Sequence, residues 1–91
     1  WENIEAVIAK NDHYCRGIVL LGLEAPTEDL VKAFEATRVA PAVKGFAVGR
    51  TIFVDAARAW MAGKIDDEMA VSDMAGRFRA LTDAWLRTRG L

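Results

Sequence analysis

Two short apolar runs, residues 16–22 (RGIVLLG) and residues 43–48 (VKGFAV), constrain the fold of this chain more than any other feature. Neither alternates polar with apolar side chains. That is how a strand reads when both its faces are buried, as in a parallel sheet. The stretch between them carries helix signals. Pro26 fixes φ at a helix start, and Glu28 and Asp29 sit in a first turn, where the helix dipole favours negative charge. Leu30, Val31 and Phe34 supply that helix with an inner face, and Pro41 ends the segment. A strand, a helix and a second strand in this order predict a crossover connection and a parallel pair.

The flanks read as helices. Trp1, Ile4, Val7 and Ile8 recur at helical spacing over residues 1–10, and Asn11-Asp12-His13 is turn chemistry. After the second strand a helix starts near Thr51, with inner-face pairs Ile52/Phe53, Ala56/Ala57 and Trp60/Met61, and Gly63 stops it. Asp66 or Asp67 caps a last helix, along which Val71, Met74, Phe78, Leu81 and Trp85 form an amphipathic stripe. Trp60 and Trp85 read as core residues. The predicted order is α-β-α-β-α-α, with no repeats and no linker, so residues 1–91 form a single segment.

Two parallel strands cannot bury four faces by themselves. Either a dimer completes the sheet, or these are consecutive units of a larger α/β fold, and the second reading fits better. Hydrophobic residues make up 53% of the 91 residues, rich for a small domain that buries only about 60–65% of its unfolded surface. The chain also opens on Trp1 with no starting methionine, as a piece of something longer would. A (β/α)8 barrel takes ~250 residues, of which two strands with their helices are roughly a quarter to a third.

Charge and composition exclude several classes. The formal net charge is −1 and the pI near 5.8, with no basic cluster interleaved with aromatics, so there is no nucleic-acid footprint. The apolar run at residues 18–21 falls far short of the ~20 residues that span a bilayer. Trp1-Glu2-Asn3 has no basic region leading into an apolar one, so no secretory signal is expected. Cys15 stands alone, which builds no disulfide frame or cysteine-rich metal site and fits a reducing cytoplasm. No metal or cofactor is expected.

The candidate site lies at the end of the second strand. Gly49, Arg50 and Thr51 sit where a strand hands over to a helix, and a helix N-terminus presents free N–H groups and partial positive charge to an anion. Gly49 lets the backbone come close, Arg50 can fork two oxygens, and Thr51 offers an N–H and a hydroxyl. The bland alternative is a tight turn with a solvated arginine and a threonine cap. Glu24 follows the first strand at its C-terminal end, where catalytic acids and bases sit in parallel α/β folds; the alternative is a solvated loop residue. Lys44, inside the second strand, has the residue type of a Schiff-base lysine. Its place at the strand's N-terminal end favours a structural ion pair, and Arg16 reads the same way on the first strand. His13 and Cys15 lack a third ligand and read as loop residues.

The segments YCRGIVLLGLEAP and VKGFAVGRTIF together resemble the C-terminal, aldolase-like domain of unknown function fused behind 5-dehydro-2-deoxygluconokinase in bacterial inositol-catabolism proteins. The resemblance covers nearly all of the chain. More distantly, GFAVGRTIF looks like the eighth strand of class I aldolase barrels, where a Gly-Arg pair ends the strand and backbone amides hold a sugar phosphate. The resemblance implies the C-terminal part of a (β/α)8 barrel, running from its sixth helix through its eighth. It implies phosphate-binding roles for Gly49, Arg50 and Thr51, and a phosphorylated sugar acid as ligand. It also implies further partners: the remainder of the barrel upstream, a kinase domain, and a second copy in a homo-oligomer. Members of that family mostly carry Asp where this chain has Glu24. The Schiff-base lysine of such aldolases lies on the sixth strand, which would end ahead of Trp1, so residues 1–91 would hold part of a phosphate grip and no nucleophile.

Overall fold

Strand β1 (Ile18–Leu21) and strand β2 (Val43–Ala47) lie side by side and parallel in the computed structural model, which describes residues 1–23 and 25–90. Partners across the ladder are Ile18 with Val43, Val19 with Gly45, Leu20 with Phe46 and Leu21 with Ala47. The register slips between Ile18 and Val19, so Lys44 is the extra residue of an irregular pair. Opposite it, Gly17 adopts φ 145°, and a Cβ there would come within 2.4 Å of Lys44 Cγ. Only glycine fits that spot, because the backbone is left-handed and the lysine stem lies over it.

The crossover is helix α2 (Thr27–Ala36), which follows β1 and returns the chain to the start of β2. Helix α1 (Glu2–Asn11) precedes the strands; helices α3 (Arg50–Met61) and α4 (Asp67–Thr88) follow them. The helix ends obey local chemistry. Gly63, at φ 73°, closes α3, with Lys64 N–H donating to the Ala59 carbonyl at 2.9 Å and Gly63 N–H to that of Trp60 at 3.0 Å. Asp66 caps α4, its Oδ1 accepting from Met69 N–H at 2.8 Å.

Helices α2 and α4 pack on one face of the sheet. Leu30, Phe34, Leu81 and Ala84 are buried there, against Leu20, Phe46, Val48, Ile52 and Trp85. Phe34, fully buried, is the hub: its ring centroid lies 5.0 Å from that of Phe46 and 5.4 Å from that of Trp85, the latter edge-on at 87°. Arg89 clasps the same corner. Its Nη1 donates to the Phe34 carbonyl at 2.8 Å and its Nη2 to Thr37 Oγ1 at 3.2 Å, while the guanidinium lies 3.8 Å above the Trp85 ring. Burial holds this guanidinium below the usual arginine range, and the last turn of α2 gains a charged donor for its carbonyl ends. On α3 and α4, Arg77 bridges Asp73 at 2.6 Å and Asp55 at 3.0 Å; the bond to Asp73 raises its pKa further.

The parallel pair and the element order agree with the sequence, but the burial differs on the strands and on α3 and α4, where Phe53 and Met61 of the expected α3 inner face are 43% and 77% exposed. Both strands read as buried on two faces, yet Val19 and Leu21 are 54% and 62% exposed, because among the described residues helices cover only the opposite face. The stripe expected to bury α4 is rotated. Leu81 is buried and Trp85 half-buried, but Phe78 is 52% exposed, and Ala70 and Ala84 supply the close contacts. Trp60, expected in the core, is 49% exposed and donates from Nε1 to Asp67 Oδ1 at 2.6 Å. Helix α1 buries none of its residues; one tie to the rest is the Ala42 N–H donating to Glu5 Oε1 at 2.6 Å. The radius of gyration, 16.2 Å, exceeds the about 12 Å of a compact chain of this length.

Candidate functional site

The C-terminal ends of both strands open onto one rim. β1 leads into Gly22, which is buried because the Val48 side chain packs on it: a Cβ at Gly22 would meet Val48 Cγ2 at 2.9 Å. This close approach sets the two strand ends together. Leu23 follows at φ 46°, a left-handed conformation unusual for leucine, and its side chain is 74% exposed. The chain then folds back, with Ala25 N–H donating to the Gly22 carbonyl at 2.8 Å.

β2 leads through Val48 and Gly49 into α3, which begins one residue earlier than the sequence suggested, at Arg50. The ladder of α3 starts with Ile52 and Phe53 N–H donating to the Gly49 carbonyl at 2.8 and 3.2 Å. The amides of Arg50 and Thr51 therefore lie ahead of the first intrahelical bond, at the positive end of the helix. Thr51 Oγ1 donates to the Ala25 carbonyl at 2.8 Å, across 26 residues of sequence. That bond ties the N-terminus of α3 to the loop after β1, so the two strand ends and the helix start share one rim. Arg50 is exposed at this rim.

Of the residues singled out in the sequence, Gly49, Arg50 and Thr51 lie at this rim. The backbone of Gly49 is not left-handed; the space left by its missing side chain is filled by Phe53, whose ring would lie 3.1 Å from a Cβ. The Thr51 hydroxyl is engaged with Ala25, so of the two groups the sequence offered at Thr51 only the N–H stays outside that bond. Glu24 lies outside the described residues. Lys44 sits at the other end of β2, exposed, and among the described residues neither it nor Arg16 makes the expected ion pair. Cys15 Sγ lies 3.7 Å from the Gly17 carbonyl, and no group of three potential metal ligands occurs among the described residues. Sequence reasoning missed the Thr51–Ala25 brace and the Arg89 clasp. Both join residues far apart in sequence, and no local pattern marks them.

These features define a small α/β unit of two parallel strands and four helices among the described residues, with a helix N-terminus braced against its neighbouring strand end. The chain belongs to the family described as "uncharacterized protein conserved in bacteria (DUF2090)", whose model matches residues 1–89. No curated protein and no solved structure matches the chain. No helix among the described residues is long and apolar enough to cross a membrane.

Proposed function

We propose that this chain is the C-terminal part of an aldolase-like (β/α)8 barrel that holds the phosphate of a phosphorylated sugar acid in cytoplasmic carbohydrate catabolism. The observation that carries this reading is the Thr51–Ala25 bond, which fixes the positive end of α3 at the C-terminal ends of both strands. Parallel α/β folds bind ligands at that end, and barrel phosphate sites use a helix N-terminus after the last strands. The sheet supports the same reading. One face is covered by helices, while Val19 and Leu21 leave the other apolar and bare, as strands facing a barrel interior would. A two-stranded sheet also has two open edges, which further strands of a barrel would pair.

In this reading the amides of Arg50 and Thr51, with the Arg50 guanidinium, hold the phosphate, and Gly49 admits the turn. A lysine on the strand ahead of Trp1 attacks the sugar carbonyl, and water leaves as the iminium forms. The carbon–carbon bond then breaks, with its electrons drawn into the iminium, and a carboxylate, Glu24, moves the protons. A second reading keeps the ligand and drops the chemistry: a silent phosphosugar-binding or oligomerisation domain serving a fused sugar kinase. One observation favours it. Phe53 fills the space over Gly49 and the Thr51 hydroxyl is spent on a brace, so two of the three grip residues also serve the scaffold.

The test is titration of the full-length protein with sugar phosphates. Arg50→Ala weakens binding by about 1.5–3 kcal/mol, the scale of a charged hydrogen bond, and leaves the melting curve unchanged. Unaltered affinity in Arg50→Ala overturns the phosphate reading. Trapping the substrate with borohydride separates the two readings, since only a Schiff-base enzyme is covalently labelled.

A further inference from the structure

A second charged site lies at the opposite end of the helical layer. Helix α2 runs back from the rim, so its C-terminal end lies near the start of β2, far from Gly49 and Arg50. There α2 and the end of α4 border an open groove of about 790 Å³. Lys32 and Arg38 line it from the α2 side, and Arg87 and Thr88 from the α4 side. Glu35 is the one carboxylate among the lining residues.

Arg87 stands in the last turn of α4, where the helix dipole favours a cation, while Lys32 lies midway along α2 and Arg38 in the turn after it; exposed cations pointing apart into water would need no further explanation. Here three of them line a single concavity. Glu35 stands three residues from Lys32 on α2, a spacing at which helical pairs meet, yet among the described residues it forms no ion pair with Lys32, Arg38 or Arg87. Arginines that serve the fold are bound differently: Arg77 holds two aspartates, and Arg89 holds a carbonyl and a ring. The groove's three cations are exposed and line it from the α2 side and from α4. Its volume lies within the range of small-molecule sites.

We infer that this groove binds a small multivalent oxyanion, a phosphate-bearing or polycarboxylate metabolite, at a site separate from the rim. Lys32 and Arg87 reach it from opposite walls, and Arg38 adds a planar fork suited to two oxygens. Thr88 is part of the same wall, and its hydroxyl donates to the Trp85 carbonyl at 2.8 Å. Trp85 also carries the Arg89 clasp, which places this wall beside the aromatic core.

The experiment titrates the full-length protein with inorganic phosphate and, separately, with citrate, at ionic strength held constant with chloride. Amide shifts are followed by NMR at Ala84 and Thr88 for the groove and at Arg50 and Thr51 for the rim. Saturable shifts at Ala84 and Thr88 are expected with at least one of the two anions, and which anion saturates them assigns its chemical class. The double variant Lys32→Gln/Arg87→Gln weakens that response about tenfold or more, and Arg38→Gln does so alone to a smaller extent. Far-UV circular dichroism checks that the variants are folded; should the double variant unfold, Arg38→Gln carries the test. Shifts that grow linearly without saturating, or that survive the substitutions, overturn the inference. So does a groove that responds only to an acidic peptide, which would make it a macromolecular docking surface. Rim and groove amides are read separately, so a failure to bind at one site is distinguishable from a failure at the other.

Discussion

Thr51 offers the sharpest test of how the rim is held. Replacing it with valine keeps the shape and the β-branch and deletes the hydroxyl. The lost bond to the Ala25 carbonyl is 2.8 Å long and part-buried, and it leaves that carbonyl without its donor. A net hydrogen bond contributes about 0.5–1.5 kcal/mol, and an acceptor stranded in the interior costs about 1–3 kcal/mol. Ala25 is only half-buried, so water restores part of the loss, and the expected cost of Thr51→Val is about 1–2 kcal/mol. Thr51→Ser keeps the hydroxyl and should stay within about 0.5 kcal/mol of the parent. Urea unfolding followed by circular dichroism measures both, as a shift in midpoint at constant slope. Sugar-phosphate affinity, measured beside stability, separates two roles. If the rim holds a sugar phosphate as proposed, a brace lowers stability in the valine variant and weakens binding in step, and serine restores both. A ligand-donating hydroxyl would lower binding alone. A Thr51→Val protein as stable as its parent would refute the idea that this bond organises the rim.

Three further outcomes follow from the packing. Arg89→Ala removes the bonds to Phe34 and Thr37, a longer one to Thr88 and a stacked cation at once and should cost about 2–3 kcal/mol, while Arg89→Lys, which keeps charge without the fork, recovers only part of it in the same melts. Gly17→Ala should destabilise by about 1 kcal/mol or more, because φ 145° is strained for alanine and its Cβ strikes the Lys44 stem; Lys44→Ala in the same chain should relieve the lysine's part of the clash but not the 3.0 Å approach to the Ala42 carbonyl, and a double-mutant cycle measures that part. Phe34→Ala should cost about 3–5 kcal/mol, and Phe78→Ala, at a half-exposed position, no more than about 1 kcal/mol. The reverse order in denaturant melts would mean that α4 is rotated from the position described.

What the sequence made legible was local. The order of six elements, the glycine closure of α3 and the aspartate cap of α4 depend on residues within a turn of each other, and each is found as expected. The inner face of α4 was not legible for a physical reason. Its tight contacts are made partly by Ala70 and Ala84, whose small side chains let the helix approach but carry little hydrophobic signal, while the larger Val71 and Phe78 stand outside. The two-sided burial read from the strands assumed neighbours on both faces, and the helices among the described residues cover one. At the rim, residue types marked Gly49, Arg50 and Thr51, but which atoms of Thr51 stay available depends on a carbonyl 26 residues away. The groove between α2 and α4 combines residues from two helices and has no linear motif at all.

Leu23 points to a trade between durability and use. A leucine held at φ 46° is disfavoured by roughly 1–2 kcal/mol relative to ordinary backbone, and glycine or asparagine would escape most of that. With its side chain 74% exposed, little contact within the described residues offsets the strain. A laboratory selection for heat resistance alone should therefore reach this position early and replace the leucine with glycine or asparagine. A selection that also demands the natural activity should keep it. The difference between those two evolved populations would show, without any ligand in hand, whether the rim is kept below its attainable stability for the sake of what it does.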